Sequence, residues 1–190
     1  MILRSIIKSM ILLCLCPMTA LAVENIDPLD DGSQYAWGES VGWFNAEPRG
    51  DGGPGVNVAG DKLTGWMWSE SIGWISLSCE NTSSCGTFDY GVTNDGDGNL
   101  SGYAWSESAG WINFAPDYGG VSIDELTGRF DGYAWGESIG WMKFRDTKPV
   151  EYNVRTAWGL LAVSFEPKES IVPLLYLLEM FDHEEPESAP

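Results

Sequence analysis

Four glutamates occupy matching positions in this sequence, and a serine follows each of them. They are Glu39, Glu70, Glu107 and Glu137, followed by Ser40, Ser71, Ser108 and Ser138. Carboxylate oxygens are preferred ligands of calcium. In a stack of β-solenoid coils, neighbouring carboxylates would lie about 4.8 Å apart and would repel one another unless cations lay between them. The sequence therefore predicts a calcium ladder. The alternative is a plain exposed turn whose carboxylate accepts backbone N–H groups.

A second acidic segment, DGDGN at residues 95–99, has the alternating oxygen ligands of a calcium loop. The EF-hand pattern fails, because its sixth and twelfth positions are Leu100 and Ser106 here instead of Gly and Glu. A calcium site in this segment would need further ligands from another strand. Its own ligands would be Asp95, Asp97 and Asn99. The alternative is an acidic hairpin turn without metal.

Catalysis has little support in the sequence. The single histidine, His183, lies in the acidic tail, so a Ser-His-Asp or Cys-His arrangement has no suitable base. No zinc-ligand set, Walker loop or dinucleotide fingerprint occurs, and the glycine-rich stretch at 50–55 lacks the lysine and helix of a phosphate loop. We predict that the protein is not an enzyme.

The glutamates belong to a repeated motif in which two tryptophans stand six residues apart. The motif reads YAWGESVGWF, WMWSESIGWI, YAWSESAGWI and YAWGESIGWM, and its copies begin at residues 35, 66, 103 and 133, spacings of 31, 37 and 30. A period of this size is typical of repeat proteins, in which each unit completes its core against its neighbours. The tryptophan pairs are Trp37/Trp43, Trp68/Trp74, Trp105/Trp111 and Trp135/Trp141.

Short alternating runs bounded by Gly, Asp and Asn predict three strands in each unit: G-V-x-x, L-x-G-Y-A-W and I-G-W-I-x-F. If the Glu-Ser pair is a two-residue turn, Trp105 faces Gly110 and Ala104 faces Trp111 across the hairpin. Helix is disfavoured because Gly interrupts every candidate window. The predicted fold is all-β, a short β-solenoid or a stacked or propeller-like β-hairpin array.

The predicted organisation places a signal peptide at 1–22, a polar lead-in at 23–34, a β-repeat domain at 35–165 and an apolar segment with an acidic tail at 166–190. The units lie near 35–54, 55–89, 90–117 and 118–149, followed by a degenerate closing unit at 150–165. The apolar block at 170–181 is too short for a transmembrane span. It suits a capping helix, a docking segment or a poorly packed remnant.

The net charge limits the classes of partner that the protein can bind, and the cysteine content bears on its cellular compartment. The chain carries a net charge of −18, which repels nucleic acid and anionic lipid, so both are excluded as partners. The signal peptide predicts a secreted protein, extracellular or on the cell surface, with the periplasm as another location. Because exported proteins form disulfides, we expect a disulfide between Cys79 and Cys85 that stabilises a loop inserted in the second unit.

The motif G-Y-A-W-[GS]-E-S-[IV]-G-W-[IM]-x-F resembles tandem repeats in secreted and surface proteins of Gram-negative bacteria, over roughly residues 35–158. The repeats also look like those of extracellular β-rich fibre subunits stabilised by stacked calcium ions. This resemblance implies a structural or adhesive protein of the cell surface or extracellular matrix that assembles through its sheet edges. The small number of units, the inserted cystine loop and the acidic tail depart from long fibre arrays.

Carbohydrate binding is the alternative function, because flat aromatic rings stack on the faces of sugars. Recurring tryptophans are expected in core or inter-unit packing, whereas a lectin needs exposed rings beside polar groups. The candidates for such rings are Phe88, Tyr90 and the outer tryptophan of each pair.

Overall fold

A computed structural model describes residues 25–48 and 54–159. The predicted signal peptide, the end of the degenerate unit at 160–165 and the segment 166–190 lie outside the described residues. The described strands are β1 (Tyr35–Gly38), β2 (Gly42–Asn45), β3 (Asn57–Val58), β4 (Lys62–Thr64), β5 (Trp66–Ser69), β6 (Gly73–Ser76), β7 (Val92–Asn94), β8 (Leu100–Ser106), β9 (Gly110–Asn113), β10 (Gly120–Ile123), β11 (Phe130–Gly136), β12 (Gly140–Lys143), β13 (Arg145–Asp146) and β14 (Tyr152–Asn153). A short 3₁₀ helix covers Cys79–Thr82.

Eight of these strands form a closed antiparallel barrel made of four hairpins. Each repeat supplies one hairpin: β1–β2, β5–β6, β8–β9 and β11–β12. Neighbouring hairpins pair through β2–β5, β6–β8 and β9–β11, and β12 pairs with β1 to close the ring. The prediction of an all-β fold is confirmed. A solenoid or stacked hairpin array is not confirmed, because the fourth hairpin returns to the first.

Side chains alternate between the inside and the outside of the barrel, as the period of a strand requires. The inward cross-strand pairs are buried, and they are Ala36/Phe44, Met67/Ile75, Ala104/Ile112 and Ala134/Met142. The paired tryptophans lie directly opposite each other on the outer face, for example Trp105 opposite Trp111. In three of the four pairs an alanine faces a larger side chain, in the second hairpin Met67 faces Ile75, and both indole rings of each hairpin remain outside.

The hairpin register therefore differs by one residue from the sequence prediction, which paired Trp105 with Gly110 and Ala104 with Trp111. Ser106 pairs with Gly110 instead, so the turn contains Glu107, Ser108 and Ala109. Gly110 has φ of +76°, a left-handed conformation that Gly adopts readily. The extra turn residue moves every partner on β9 by one position and brings the tryptophans together.

The variable apolar residue of the Glu-Ser turn closes one end of the barrel. Ala109 and Ile139 are buried, and Val41 and Ile72 pack against the core. Its apolar character follows from this position, because the residue separates the barrel interior from water. The glutamates beside it point to solvent and are exposed.

Shorter strands form a second layer next to the barrel. In every unit the same backbone hydrogen bond joins this layer to the end of a barrel hairpin. The N–H groups of Val56, Val92, Val121 and Val154 donate to the carbonyls of Ala46, Leu77, Phe114 and Phe144 at 2.9–3.2 Å. All four valines are buried. The repetition of one backbone hydrogen bond in four units shows that the repeats occupy equivalent positions.

The degenerate unit completes the first repeat, which lacks a G-V-x-x strand of its own. Val154 bridges to Gln34, and Thr156 bridges to Ile26. Equivalent pairings occur in the third unit, where Val92 pairs with Gly102 and Asn94 pairs with Leu100. Residues 25–34, predicted only as a lead-in, are thus part of the fold, and the two ends of the described chain close the structure against each other.

Asp27 anchors this first segment through hydrogen bonds to its carboxylate. Burial opposes its ionisation, but the N–H of Asp31, the hydroxyl of Ser33 and the N–H of Gly32 donate to it and hold its pKa below the ordinary value of 3.8. A carboxyl with a lowered pKa stabilises the fold above the unfolded-state pKa, and this contribution disappears as the pH falls through the folded-state value.

We expect Asp27→Asn to lower the free energy of unfolding at pH 7 by about 1–3 kcal/mol, because a charged acceptor of three hydrogen bonds is lost. The difference from wild type should shrink as the pH falls below 3.8. Urea unfolding at pH 7 and pH 3 measures it, with the exposed Asp30→Asn as control. An equal deficit at both pH values would contradict the assignment.

Candidate functional site

Four grooves lie on the outside of the barrel, one between each pair of neighbouring hairpins. Groove A separates the fourth and first hairpins, groove B the first and second, groove C the second and third, and groove D the third and fourth. Their volumes are about 930, 1030, 850 and 510 Å³ in that order. These volumes suit small-molecule or oligomeric ligands.

The grooves share one set of residue types. Tryptophan from one hairpin forms one side, and the Glu-Ser turn of the next hairpin lies at the end of the other. The turns are Glu39-Ser40 in groove A, Glu70-Ser71 in groove B, Glu107-Ser108 in groove C and Glu137-Ser138 in groove D. This recurrence follows from the motif, because alternation turns Trp outward and the Glu-Ser turn always ends a hairpin at the same end of the barrel.

The tryptophans pack on one another at the outer surface of the barrel, so of the two expected arrangements, core packing and inter-unit packing, core packing is wrong. None of the eight motif tryptophans is buried. The centroids of Trp37/Trp43, Trp68/Trp74 and Trp105/Trp111 lie 4.7, 4.8 and 4.6 Å apart in edge or tilted contacts. Even so, Trp43 and Trp111 are each 45% exposed. The pairs hold their rings in fixed orientations while leaving a large apolar face in contact with solvent.

Unused polar groups lie beside these rings. In the described part of the chain, the carboxylates of Glu39, Glu70, Glu107 and Glu137 take part in no hydrogen bond or ion pair. Asn113 in groove D accepts from the N–H of Ala115 at 2.9 Å, which leaves its amide NH₂ free to donate. Each groove thus combines a flat apolar surface with hydrogen-bonding groups at its margin.

No protein-family model, curated protein or solved structure matches this chain. The interpretation of the grooves therefore depends on their geometry and chemistry. Residues 25–48 and 54–159 contain no helix with the length and apolar composition of a transmembrane span.

The inserted loop of the second unit extends groove C. The predicted disulfide between Cys79 and Cys85 is confirmed, and it closes the loop that carries Thr82 and Ser84 into the groove. The two further lectin candidates lie in the same place. Phe88 is 65% exposed, and the ring of Tyr90 lies 5.4 Å from that of Trp111.

Groove A contains lysines that the sequence analysis did not single out. Lys143 bonds to Asp146 at 2.5 Å, and this bond raises the pKa of its amine. Its Nζ also lies 5.6 Å from the centroid of the Tyr133 ring, and Lys148 lines the same groove. Lys143 takes the repeat position that is Asn45, Ser76 and Asn113 elsewhere. Because this position varies, only the strand register marks it as part of a groove.

The acidic residues predicted to bind calcium do not form one cluster. The four glutamates lie on separate hairpins, whose equivalent strands are two strand spacings apart, on the order of 10 Å. Within residues 25–48 and 54–159, the one group of three or more ligand-type side chains is Cys79, Cys85 and Asp89, and both sulfurs are in the disulfide. Asp95 accepts from the side chain and N–H of Asn99 and from the N–H of Asp97, which lowers its pKa.

Calcium at individual acidic turns stays a prediction of the sequence. Thermal unfolding with calcium and with a chelator measures it, because a ligand of the native state raises the midpoint by mass action. Equal midpoints would exclude calcium as a stabilising ion.

Proposed function

We propose that this protein is a secreted carbohydrate-binding protein whose four grooves take neutral glycans. The observation that carries the proposal is the fourfold recurrence of partly exposed tryptophan beside an unpaired carboxylate and a serine hydroxyl. Buried packing would explain recurring tryptophans, but these rings face outward.

The chemistry of the grooves suits a sugar. The C–H face of a pyranose packs on an indole ring, and its hydroxyls donate to a carboxylate such as Glu107 or exchange hydrogen bonds with Ser108. Each such contact is weak, since aromatic contacts contribute about 1 kcal/mol. Four grooves on one molecule compensate by multivalency, which increases avidity for a polymeric or clustered glycan.

Charge favours neutral glycans over acidic ones. The chain has a net charge of −18, and every groove contains a glutamate; in groove A, Lys143 and Lys148 balance Glu39 and Asp146, so repulsion there comes from the rest of the molecule. A polyuronate or sulfated chain would be repelled on approach. Neutral polysaccharides would meet no such barrier.

The adhesive role at the cell surface or in an extracellular matrix is part of this proposal, since a multivalent glycan binder cross-links polysaccharides. Assembly through sheet edges is the second proposal. It has less support, because the strands at the ends of the described sheet are β3, with two residues, and β10, with four. Short edge strands offer few unpaired groups to another chain.

Native affinity electrophoresis tests the function directly. We expect migration to be retarded in gels containing at least one of hydroxyethylcellulose, xylan, soluble starch or glycol chitin, and not in gels containing alginate. Trp111→Ala should weaken the retention about tenfold, because the ring lines two grooves. Leu126→Ala, at a 73% exposed turn position outside the grooves, is the matched control.

The controls separate recognition from unfolding. The variants should keep the near-ultraviolet circular dichroism of the folded protein. Normal migration of wild type in every neutral gel would contradict the proposal, as would equal retention of wild type and Trp111→Ala.

A further inference from the structure

We infer that grooves C and D together bind one continuous stretch of a linear, neutral polysaccharide, which runs around the barrel across the strands. The inference rests on the proposed function and specifies its ligand. The recognised unit is an internal run of several sugars, and not a terminal monosaccharide or disaccharide in each groove.

The two grooves are separated by a single shared ridge. Trp105, Trp111 and Ser108 line both of them. The indole centroids of the ridge lie 4.6 Å apart, and Trp111 is 45% exposed. A chain leaving groove C therefore crosses an apolar surface into groove D and does not pass through open solvent.

Further aromatic surface extends the path on both sides of the ridge. In groove C, Phe88 follows the cystine loop by three residues and is 65% exposed, and Trp74 lines the same groove. In groove D, Trp135 is 38% exposed and lies beside Glu137. The rings belong to three successive hairpins, and equivalent strands of neighbouring hairpins lie on the order of 10 Å apart, so the row extends over roughly 20 Å.

The same continuity is absent on the far side of the fourth hairpin. Grooves D and A have no lining residue in common among the described residues. The path therefore ends at groove D. Grooves A and B are also joined, through Trp37 and Trp43, but grooves C and D are the joined pair whose described lining contains no lysine or arginine. A neutral chain is required because Glu107 and Glu137 lie along it.

Energetic coupling between the grooves tests the inference in the full-length protein. The readout is the indole N–H signal of Trp135, which lines groove D and not groove C. The probes are disaccharides and hexasaccharides of the β-1,4-glucose, β-1,4-xylose, β-1,4-N-acetylglucosamine and α-1,4-glucose series. For the series that binds, we expect the hexasaccharide to bind about 100-fold more tightly than the disaccharide.

Phe88→Ala removes a ring from groove C only, at an exposed position that the fold does not need. It should weaken hexasaccharide binding at Trp135 at least tenfold and leave disaccharide binding at Trp135 unchanged. Trp74→Ala is the second groove C variant, and Leu126→Ala the control.

The outcomes distinguish the two proposals. A hexasaccharide titration at Trp135 that Phe88→Ala and Trp74→Ala both leave unchanged would overturn the shared path and leave the proposed function intact. No perturbation of any tryptophan signal by any of the four series would overturn both.

Discussion

Gly102→Ala should lower the free energy of unfolding by about 3 kcal/mol or more, a large fraction of the roughly 5–15 kcal/mol that stabilises a folded domain. Gly102 lies in β8 with φ of +85°, a left-handed conformation that costs a residue with a side chain roughly 1–2 kcal/mol. The added Cβ would also lie 2.2 Å from the carbonyl oxygen of Gly91. That carbonyl cannot move freely, because it accepts the N–H of Tyr103 at 3.0 Å.

The measurement is chemical unfolding of wild type, Gly102→Ala and Gly86→Ala. Gly86 is an exposed loop glycine whose added Cβ would meet nothing within 4 Å, so its substitution should change stability little. Gly65 and Gly132 provide replicates in other units, with Cβ positions 1.9 and 2.0 Å from the equivalent carbonyls. Similar stabilities for Gly102→Ala and Gly86→Ala would show that the carbonyl of Gly91 does not lie this close to Gly102.

Val154→Asp should be the most damaging substitution in the degenerate unit, with a loss of about 4 kcal/mol or more. Val154 is 1% exposed, and its backbone bonds to both Phe144 and Phe130. A carboxylate there would lie in the core without a partner. The strand that completes the first repeat would then separate from Gln34, and the chain ends would no longer close the structure.

Val150→Asp is the matched control, since Val150 lies four positions earlier and is 63% exposed. It should unfold at nearly the wild-type urea concentration. If the two variants have equal stability, the degenerate unit is not the missing strand of the first repeat.

The local structure follows from the sequence because it depends on short-range rules. Alternation along Tyr103-Ala104-Trp105 predicts which side chains share a face, and Gly and Asp runs predict the turns. The register failed because it depends on the conformation of one residue. Gly110 extends the turn by adopting positive φ, and composition alone does not distinguish a two-residue turn from a three-residue one.

Ring closure depends on contacts that a repeat period does not reveal. A period of about thirty residues is compatible with a stack or with a ring, because each unit needs only a neighbour on either side. What decides is the pairing of Trp37 with Lys143 and of Gln34 with Val154, residues more than a hundred positions apart. The degenerate unit keeps Val154 at the position of Val92, but no Glu-Ser turn or second tryptophan follows, and nothing in this local similarity indicated that its partner is the first repeat.

The candidate site was predicted in part. The sequence singled out the glutamates, the tryptophan pairs, Phe88 and Tyr90, which all line grooves. It assigned the glutamates to a metal ladder because it assumed stacked coils about 4.8 Å apart, whereas neighbouring hairpins of the barrel stand side by side on the order of 10 Å apart. It missed Lys143, because the residue occupies a variable position whose exposure depends on the barrel.

Contact between the first hairpin and the last decides whether the barrel is closed. Nuclear Overhauser spectroscopy should detect contacts between backbone protons of Gly38 and Met142, and of Trp37 and Lys143, because β1 and β12 pair in this register. The amides in this ladder should also exchange slowly with solvent. Contacts of β1 with β2 alone, together with rapid exchange along its other edge, would show an open array and contradict the closed barrel and the four grooves built on it.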